Sequence, residues 1–206
     1  MIGYTLRKSS AGIVVFIVVL LLAGCLGRSS PKVTYYSLLT KNQLGDVQSV
    51  ASLPDVKLGI GPITIPDSLK RSQVATRQHG NQYEFAEFHR WAGVLERDLT
   101  AVIGDNLGQL LGVEKIGVFP WMAYFEPSYR VIIDITRLDG AIDGEAVLSA
   151  RWAVTNTDGK EVLINKKSDY NQPLEDVSYA SLIKAESKLV AKLSKDIAEE
   201  IIALQK

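Results

Sequence analysis

The end of the chain carries an apolar stripe that strongly constrains the fold. From about Asp176 to Leu204, one side of a predicted helix is apolar and the other is mainly charged. The apolar side holds Leu182, Ile183, Leu189, Val190, Leu193, Ile197 and Ile201, and the polar side holds Lys184, Lys188, Lys192, Lys195 and Glu199. A helix of this kind must bury its apolar side against another element. The preceding segments alternate like strands, so the stripe predicts a helix that covers a sheet.

Two of those segments alternate between apolar and polar side chains, as half-buried strands do. We expect residues 129–136 and 148–155 to be neighbouring antiparallel strands, followed by a turn at Asn156–Gly159 and a strand from Glu161. Further strands are predicted at 33–39, 56–60 and 113–119. Pro62 and Pro66 limit how central the second of these can be.

Residues 72–78 and 82–88 flank His79-Gly80-Asn81, which predicts a hairpin. A helix is predicted at 91–111, where apolar residues recur at helical spacing and Gly112 can end it in the left-handed conformation. The order is β-rich, helix, β-rich, helix. It predicts a single α+β domain, with a mostly antiparallel or mixed sheet covered by two long amphipathic helices.

The start of the chain has the layout of a secretory signal. Arg7 and Lys8 precede the apolar run 11–22, which is shorter than the roughly 20 residues of a transmembrane helix. Leu22-Ala23-Gly24-Cys25 follows and matches the bacterial lipobox, and Cys25 is the only cysteine. The match implies that the Cys25 thiol receives a diacylglycerol and that cleavage falls before it. We therefore expect a signal peptide at 1–24, a lipidated tether at 25–32 and a periplasmic domain at 33–206.

The residue after Cys25 is Leu26. An Asp at that position commonly retains Gram-negative lipoproteins in the inner membrane. Its absence predicts a lipid anchor in the outer membrane, with the domain facing the periplasm. The alternative, a transmembrane helix that happens to contain Cys25, is disfavoured by the short apolar run and the linker-like residues 27–31.

Charge and residue usage argue against nucleic acid binding and against catalysis. Loss of Arg7 and Lys8 reduces the 23 Lys and Arg to 21, against 23 Asp and Glu, so the mature domain has a formal charge of −2. A domain so close to neutral has no electrostatic reason to bind nucleic acid. The sequence holds no Gly-x-Ser-x-Gly elbow or phosphate-binding glycine loop, and its only histidines are His79 and His89. We expect both to face solvent, and we expect no enzyme, cofactor or metal site.

Several motifs occur in one order along the domain. They are Tyr35-Tyr36-Ser37-Leu38, the Gly-Pro-Ile-Thr-Ile-Pro run 61–66, the Leu-Lys-Arg-Ser-Gln-Val-Ala-Thr-Arg run 69–77, the Glu-Phe-His-Arg-Trp run 87–91, Asn106-Leu107 and Trp152. In these motifs the chain resembles the auxiliary lipoprotein family of MCE-type intermembrane transport systems, of the paraquat-inducible type. Lys70 stands where that family usually has Asp.

The resemblance implies a non-enzymatic periplasmic lipoprotein that works with a membrane-spanning MCE-domain protein. Such MCE proteins form a lipid-conducting tunnel, which the lipoprotein would dock at the outer membrane. Two alternatives remain: a regulator of a cell-envelope enzyme, such as a cell-wall synthase, and a carrier that holds a lipid in its own cavity. Regulators of that kind usually stand on long tethers. The tether here is about seven residues, or roughly 25 Å when extended.

The segment 66–77 is the predicted interface, either with the MCE protein or with copies of this chain in a homo-oligomer. The prolines favour a sheet edge or loop, where free backbone can pair with a partner. We expect Leu69 to be an exposed anchor, with Arg71 and Arg77 around it and Arg90 as a further candidate. The arginines could instead pair with Glu84 and Glu87, and Trp91 and Trp152 are expected in the core.

Overall fold

A computed structural model describes residues 31–78 and 81–205, so the signal peptide, Cys25 and His79 lie outside the described residues. The compact folded unit begins at Val33. The described residues form the strands β1 (Thr34–Tyr36), β2 (Lys57–Thr64), β3 (Gln73–Gln78), β4 (Gln82–Trp91), β5 (Lys115–Val118), β6 (Tyr129–Gly140), β7 (Glu145–Thr155) and β8 (Val162–Pro173), and the helices α1 (Leu95–Leu111) and α2 (Tyr179–Ala203). Neither helix combines the length and hydropathy of a transmembrane span.

The strands form two sheets where the sequence predicts one. The larger sheet has the order β5-β2-β6-β7-β8 and the smaller has the order β1-β4-β3. The pairs β1–β4, β2–β5 and β2–β6 are parallel, whereas β3–β4, β6–β7 and β7–β8 are antiparallel. The predicted α+β class, with mixed sheets and two helices in one domain, is therefore confirmed.

Strand β2 is interior to the larger sheet, because it pairs with β5 on one side and β6 on the other. The expectation that its prolines keep it from a central position is wrong. The register between β2 and β6 shifts between Ile60 and Ile63, and the exposed Pro62 lies within that shift. A bulge accommodates proline because the residue there need not donate to the ladder.

The main core lies between the larger sheet and the two helices, as the alternation in β6 and β7 predicts. Val131, Ile133 and Ile135 of β6 are buried, as are Leu148, Ala150, Trp152 and Val154 of β7 and the apolar stripe of α2. Asp134 and Arg151, which alternate with these residues, are exposed. Fully burying one such aliphatic side chain contributes about 1.5–3 kcal/mol, so this layer dominates the stability of the fold.

Both helices have identifiable ends. Helix α1 begins at Leu95, later than predicted, because Trp91 belongs to β4 and its backbone N–H donates to Ser72 O at 2.7 Å. Gly112 ends the helix with φ of 60°, as predicted. Helix α2 begins after Ser178, whose Oγ accepts a hydrogen bond from Ser181 N at 3.1 Å.

The chain after β1 is bonded to both helices. Leu38 N donates to Asp98 Oδ2 of α1 at 2.8 Å, Leu39 N donates to Ser187 Oγ of α2 at 3.0 Å, and Lys41 N donates to Asn106 Oδ1 of α1 at 2.7 Å. The first described segment is therefore joined to the helical layer as well as to the smaller sheet.

Candidate interaction surface

The segment predicted as an interface lies at the edge of the smaller sheet. Among the described residues, strand β3 pairs only with β4. Gln73 lies opposite Arg90, and after a register shift the pairing runs from Ala75 opposite Phe85 to Gln78 opposite Gln82. The predicted hairpin and edge position are thus confirmed. The edge leaves one row of β3 backbone groups without a strand partner, which is the arrangement that pairs with added strands.

Leu69 is not an exposed anchor, and the expectation is wrong. It ends a short 3-10 turn, Asp67–Leu69, in which its backbone N–H donates to Pro66 O at 2.9 Å. The turn leaves Asp67 and Lys70 at the surface as an ion pair, whereas the Leu69 side chain is only 4% exposed and belongs to the hydrophobic core. Leu69 therefore stabilises the fold and is not available to a partner.

Arg77 points its guanidinium at a buried carboxylate. Its Nε and Nη2 donate to Asp139 Oδ1 at 3.1 Å and Oδ2 at 3.0 Å, and Tyr83 Oη donates to Oδ2 at 3.1 Å. Arg137 Nε donates to Oδ1 at 2.9 Å. Burial raises the pKa of Asp139, but these hydrogen bonds and the two positive charges outweigh burial and hold that pKa below its ordinary value. The sequence left open that the arginines pair with Glu84 and Glu87, and in the described structure Arg77 is instead bonded to Asp139.

A second buried carboxyl lies near this network. Glu186, on α2, is fully buried, and its Oε2 has no hydrogen-bond partner among the described residues. Burial raises the pKa of Glu186 well above its ordinary value, and the negative charge of Asp139 raises it further. The two carboxyls thus differ because arginines surround only one of them.

Arg71 and Arg90 have separate contacts, and neither pairs with a predicted carboxylate. Arg71 is exposed and lies over the Phe85 ring, with its Cζ 4.6 Å from the ring centroid. Arg90 is half-buried, and its Nε donates to the backbone oxygen of Glu87 at 3.1 Å. Of the three predicted arginines, Arg71 is the one whose side chain remains mainly at the surface.

His89 joins three elements and does not face solvent as predicted. Tyr36 Oη of β1 lies 2.9 Å from His89 Nδ1 in β4, and the Tyr179 ring at the start of α2 stacks on the imidazole with centroids 4.0 Å apart. Within residues 31–78 and 81–205, no group of three His, Cys, Asp or Glu side chains could hold a metal ion. Trp91 and Trp152 are buried, as predicted.

The sequence analysis missed a second surface, formed by the end of β5 and the loop that follows it. We call residues 118–125 the aromatic loop. Val118, Phe119, Met122 and Tyr124 are exposed, while Trp121 and Phe125 are half-buried. The sequence feature that could have revealed this surface is the cluster of large apolar residues in 118–125, which has neither helical nor strand periodicity.

A groove runs beside the aromatic loop, with a volume of about 530 Å³. Its walls come from the bulge in β2, the first turns of α1 and the start of the loop, and include Pro62, Thr64, Arg97, Thr100 and Phe119. The surface near the loop is therefore concave on one side.

Comparison with known proteins adds to this geometry. The model of the family described as ABC-type transport auxiliary lipoprotein component matches residues 36–198. The chain belongs to that family. The family consists of transport components and is not a class of enzymes.

Relatives and solved structures agree with the family. Intermembrane transport lipoprotein PqiC of Escherichia coli strain K12 is 27% identical over 147 residues, which cover 69% of this chain and 73% of PqiC; the same values hold for PqiC of Shigella flexneri. A crystal structure of an uncharacterized protein has a TM-score of 0.67 at 20% identity and covers 83% of this chain and 99% of its own. Protein XCC0632 from Xanthomonas campestris has a TM-score of 0.64 at 10% identity, and the match covers 80% of this chain and 92% of XCC0632. These two structures share the fold of the family member described here.

Proposed function

We propose that this protein is an outer-membrane-anchored periplasmic subunit of an MCE-type intermembrane lipid transport system, and that it docks the tunnel protein at the outer membrane. The observation that carries the proposal is the family match over residues 36–198, to which the relatedness to the intermembrane transport lipoprotein PqiC adds. The lipobox at Cys25 and the absence of Asp at position 26 support anchoring in the outer membrane.

The chemistry of the domain is consistent with a docking role. An adaptor needs surfaces and a fixed position, whereas an enzyme needs a nucleophile or base that can reach a substrate. His89 is packed between two tyrosines, and the buried Asp139 is held by arginines. We infer that the protein acts without catalysis, through the faces it presents near the membrane.

The anchor is tested by Cys25→Ser in the full-length precursor. Without the thiol, no diacylglycerol can be attached, so we expect loss of label from a clickable fatty acid and loss from the outer-membrane fraction. Retention of the label on the Ser variant would show that lipid is attached elsewhere.

The partner is tested by purifying the lipid-anchored protein from cells after cross-linking in the periplasm. We expect an MCE-domain protein among the products, and its loss when the membrane fraction is taken from the Cys25→Ser strain. Recovery of a cell-wall synthase without any MCE-domain protein would favour the regulator alternative and reject the docking role.

A further inference from the structure

The aromatic loop is held firmly from beneath. Two glycines leave space for its half-buried rings: a Cβ at Gly59 would lie 3.0 Å from Trp121 Cζ3, and a Cβ at Gly117 would overlap the Phe125 ring. Trp121 makes an edge contact with Phe119, with centroids 5.5 Å apart, and the Arg130 guanidinium lies 5.3 Å from its ring centroid. One side of the loop therefore packs against the larger sheet through the Trp121 and Phe125 rings.

The other side of the loop is apolar and open. Met122 is 66% exposed and Tyr124 is 85% exposed, and Val118 and Phe119 are about half exposed. Soluble proteins usually bury large apolar side chains, so an exposed cluster of them commonly marks an interaction site. Since the rings beneath are already packed, these outer side chains are free to enter another apolar phase.

The loop also has the composition that suits a lipid surface. From Ile116 to Phe125 the sequence contains no Asp, Glu, Lys or Arg. Trp, Tyr, Phe and Met are present, and Trp and Tyr are enriched where protein meets the boundary between lipid headgroups and acyl chains. An uncharged segment can enter that boundary without the cost of desolvating an ion.

The tether limits how far the domain can stand from lipid. Seven residues, 26–32, lie between the lipobox cysteine and the folded unit at Val33, so this tether reaches roughly 25 Å when fully extended. A domain of this length is on the order of 40 Å across. A lipid-anchored domain on so short a tether stays against the bilayer, where an exposed apolar loop encounters lipid at high local concentration.

From these observations we propose that the aromatic loop is a second membrane contact, in which Met122 and Tyr124 enter the lipid surface that carries the anchor. This inference rests on the proposed function, because it takes the Cys25 anchor as its starting point. The diacylglycerol on Cys25 holds the chain at the membrane, and a second contact through the loop orients the domain, which a single point of attachment would leave free to turn.

The test uses mature lipidated protein purified from membranes and reconstituted into vesicles of phosphatidylethanolamine and phosphatidylglycerol. Because the only native cysteine carries the lipid, Met122→Cys introduces a single free thiol for an environment-sensitive fluorophore. The matched control is Val177→Cys, at a position that is 73% exposed and lies away from the loop in sequence, just before α2. We expect nitroxide-labelled phospholipid to quench the fluorophore at 122 several-fold more than the fluorophore at 177.

Vesicle flotation separates the two possible failures. If the proteins float but position 122 is quenched no more than 177, the loop does not meet lipid and the inference is overturned while the anchor stands. A blue-shifted fluorophore at 122 that lipid quenchers do not reach, with a cross-link from 122 to a second copy or another protein, would overturn it in favour of a protein interface. If the proteins do not float, the anchor itself fails, and the loop proposal fails with it.

Discussion

The hairpin region and the aromatic loop differ in what their side chains do. The hairpin region, residues 66–91, carries the leucine and arginines that resemble an interface in the sequence. In the fold, Leu69 is buried and Arg77 is bonded to Asp139. The aromatic loop has no charged anchor, yet Met122 and Tyr124 are exposed. Residue type alone therefore does not predict a contact surface, because a side chain satisfied within the fold is not available to a partner.

The largest expected effect contrasts one apolar residue from each region. Leu69→Ala should lower the free energy of unfolding by about 3 kcal/mol, since it removes buried methyl groups and leaves a cavity. Met122→Ala should change it by less than about 0.5 kcal/mol, since Met122 is mainly exposed. Denaturant unfolding of both variants measures the difference. Equal losses would show that the two residues do not differ in burial as described.

A smaller effect is expected where the loop sits on the sheet. Gly117→Ala should lower the free energy of unfolding by about 1–3 kcal/mol, because the added Cβ displaces the Phe125 ring. Gly93→Ala is the control, because a Cβ at Gly93 would meet no atom within 4 Å. Thermal unfolding followed by Trp fluorescence compares them. A Gly117 variant as stable as the Gly93 variant would mean that Phe125 does not pack there.

The last prediction is a dependence on pH, and it concerns the buried carboxyl near the hairpin network. The pKa of Glu186 is raised in the folded state, so the folded state binds more protons and the wild-type protein loses stability as pH rises above 4.5. Glu186→Gln removes that loss, and its advantage in Tm should grow as the pH rises above 4.5 towards the raised pKa of Glu186. Parallel Tm curves for the two proteins from about pH 5 to pH 8 would contradict a raised pKa of Glu186 in the folded state.

The sequence correctly predicted the structural elements that depend on residues close together in the chain. The β3–β4 hairpin, the β6–β7 pair, Gly112 at the end of α1 and the stripe of α2 follow from turn residues and periodicity. The parallel pairs could not be predicted in this way. They pair Thr34 with His89 and Leu58 with Tyr129, which are far apart in sequence. The spacing of apolar and turn residues within a segment carries no information about such distant pairs.

The candidate site was only partly predictable for the same reason. The edge position of β3 follows from prolines and turn residues, whereas the burial of Leu69 depends on a short 3-10 turn that directs it inward. The partner of Arg77 is Asp139, a distant residue on another sheet. The aromatic loop was missed because it packs over Gly59 and Gly117. These glycines leave space for the Trp121 and Phe125 rings, and that contact is visible only in the folded structure.

The position of β1 has a mechanical consequence. Any pull transmitted from a membrane anchor enters the described fold ahead of Thr34, and the first structure it loads is β1. That strand is short, with three residues in parallel register with β4, but the chain behind it is bonded to Asp98 of α1 and Ser187 of α2. Tension would therefore be shared between the smaller sheet and both helices, so that a tethered subunit could bear load from a bound partner without unravelling from its N-terminal end.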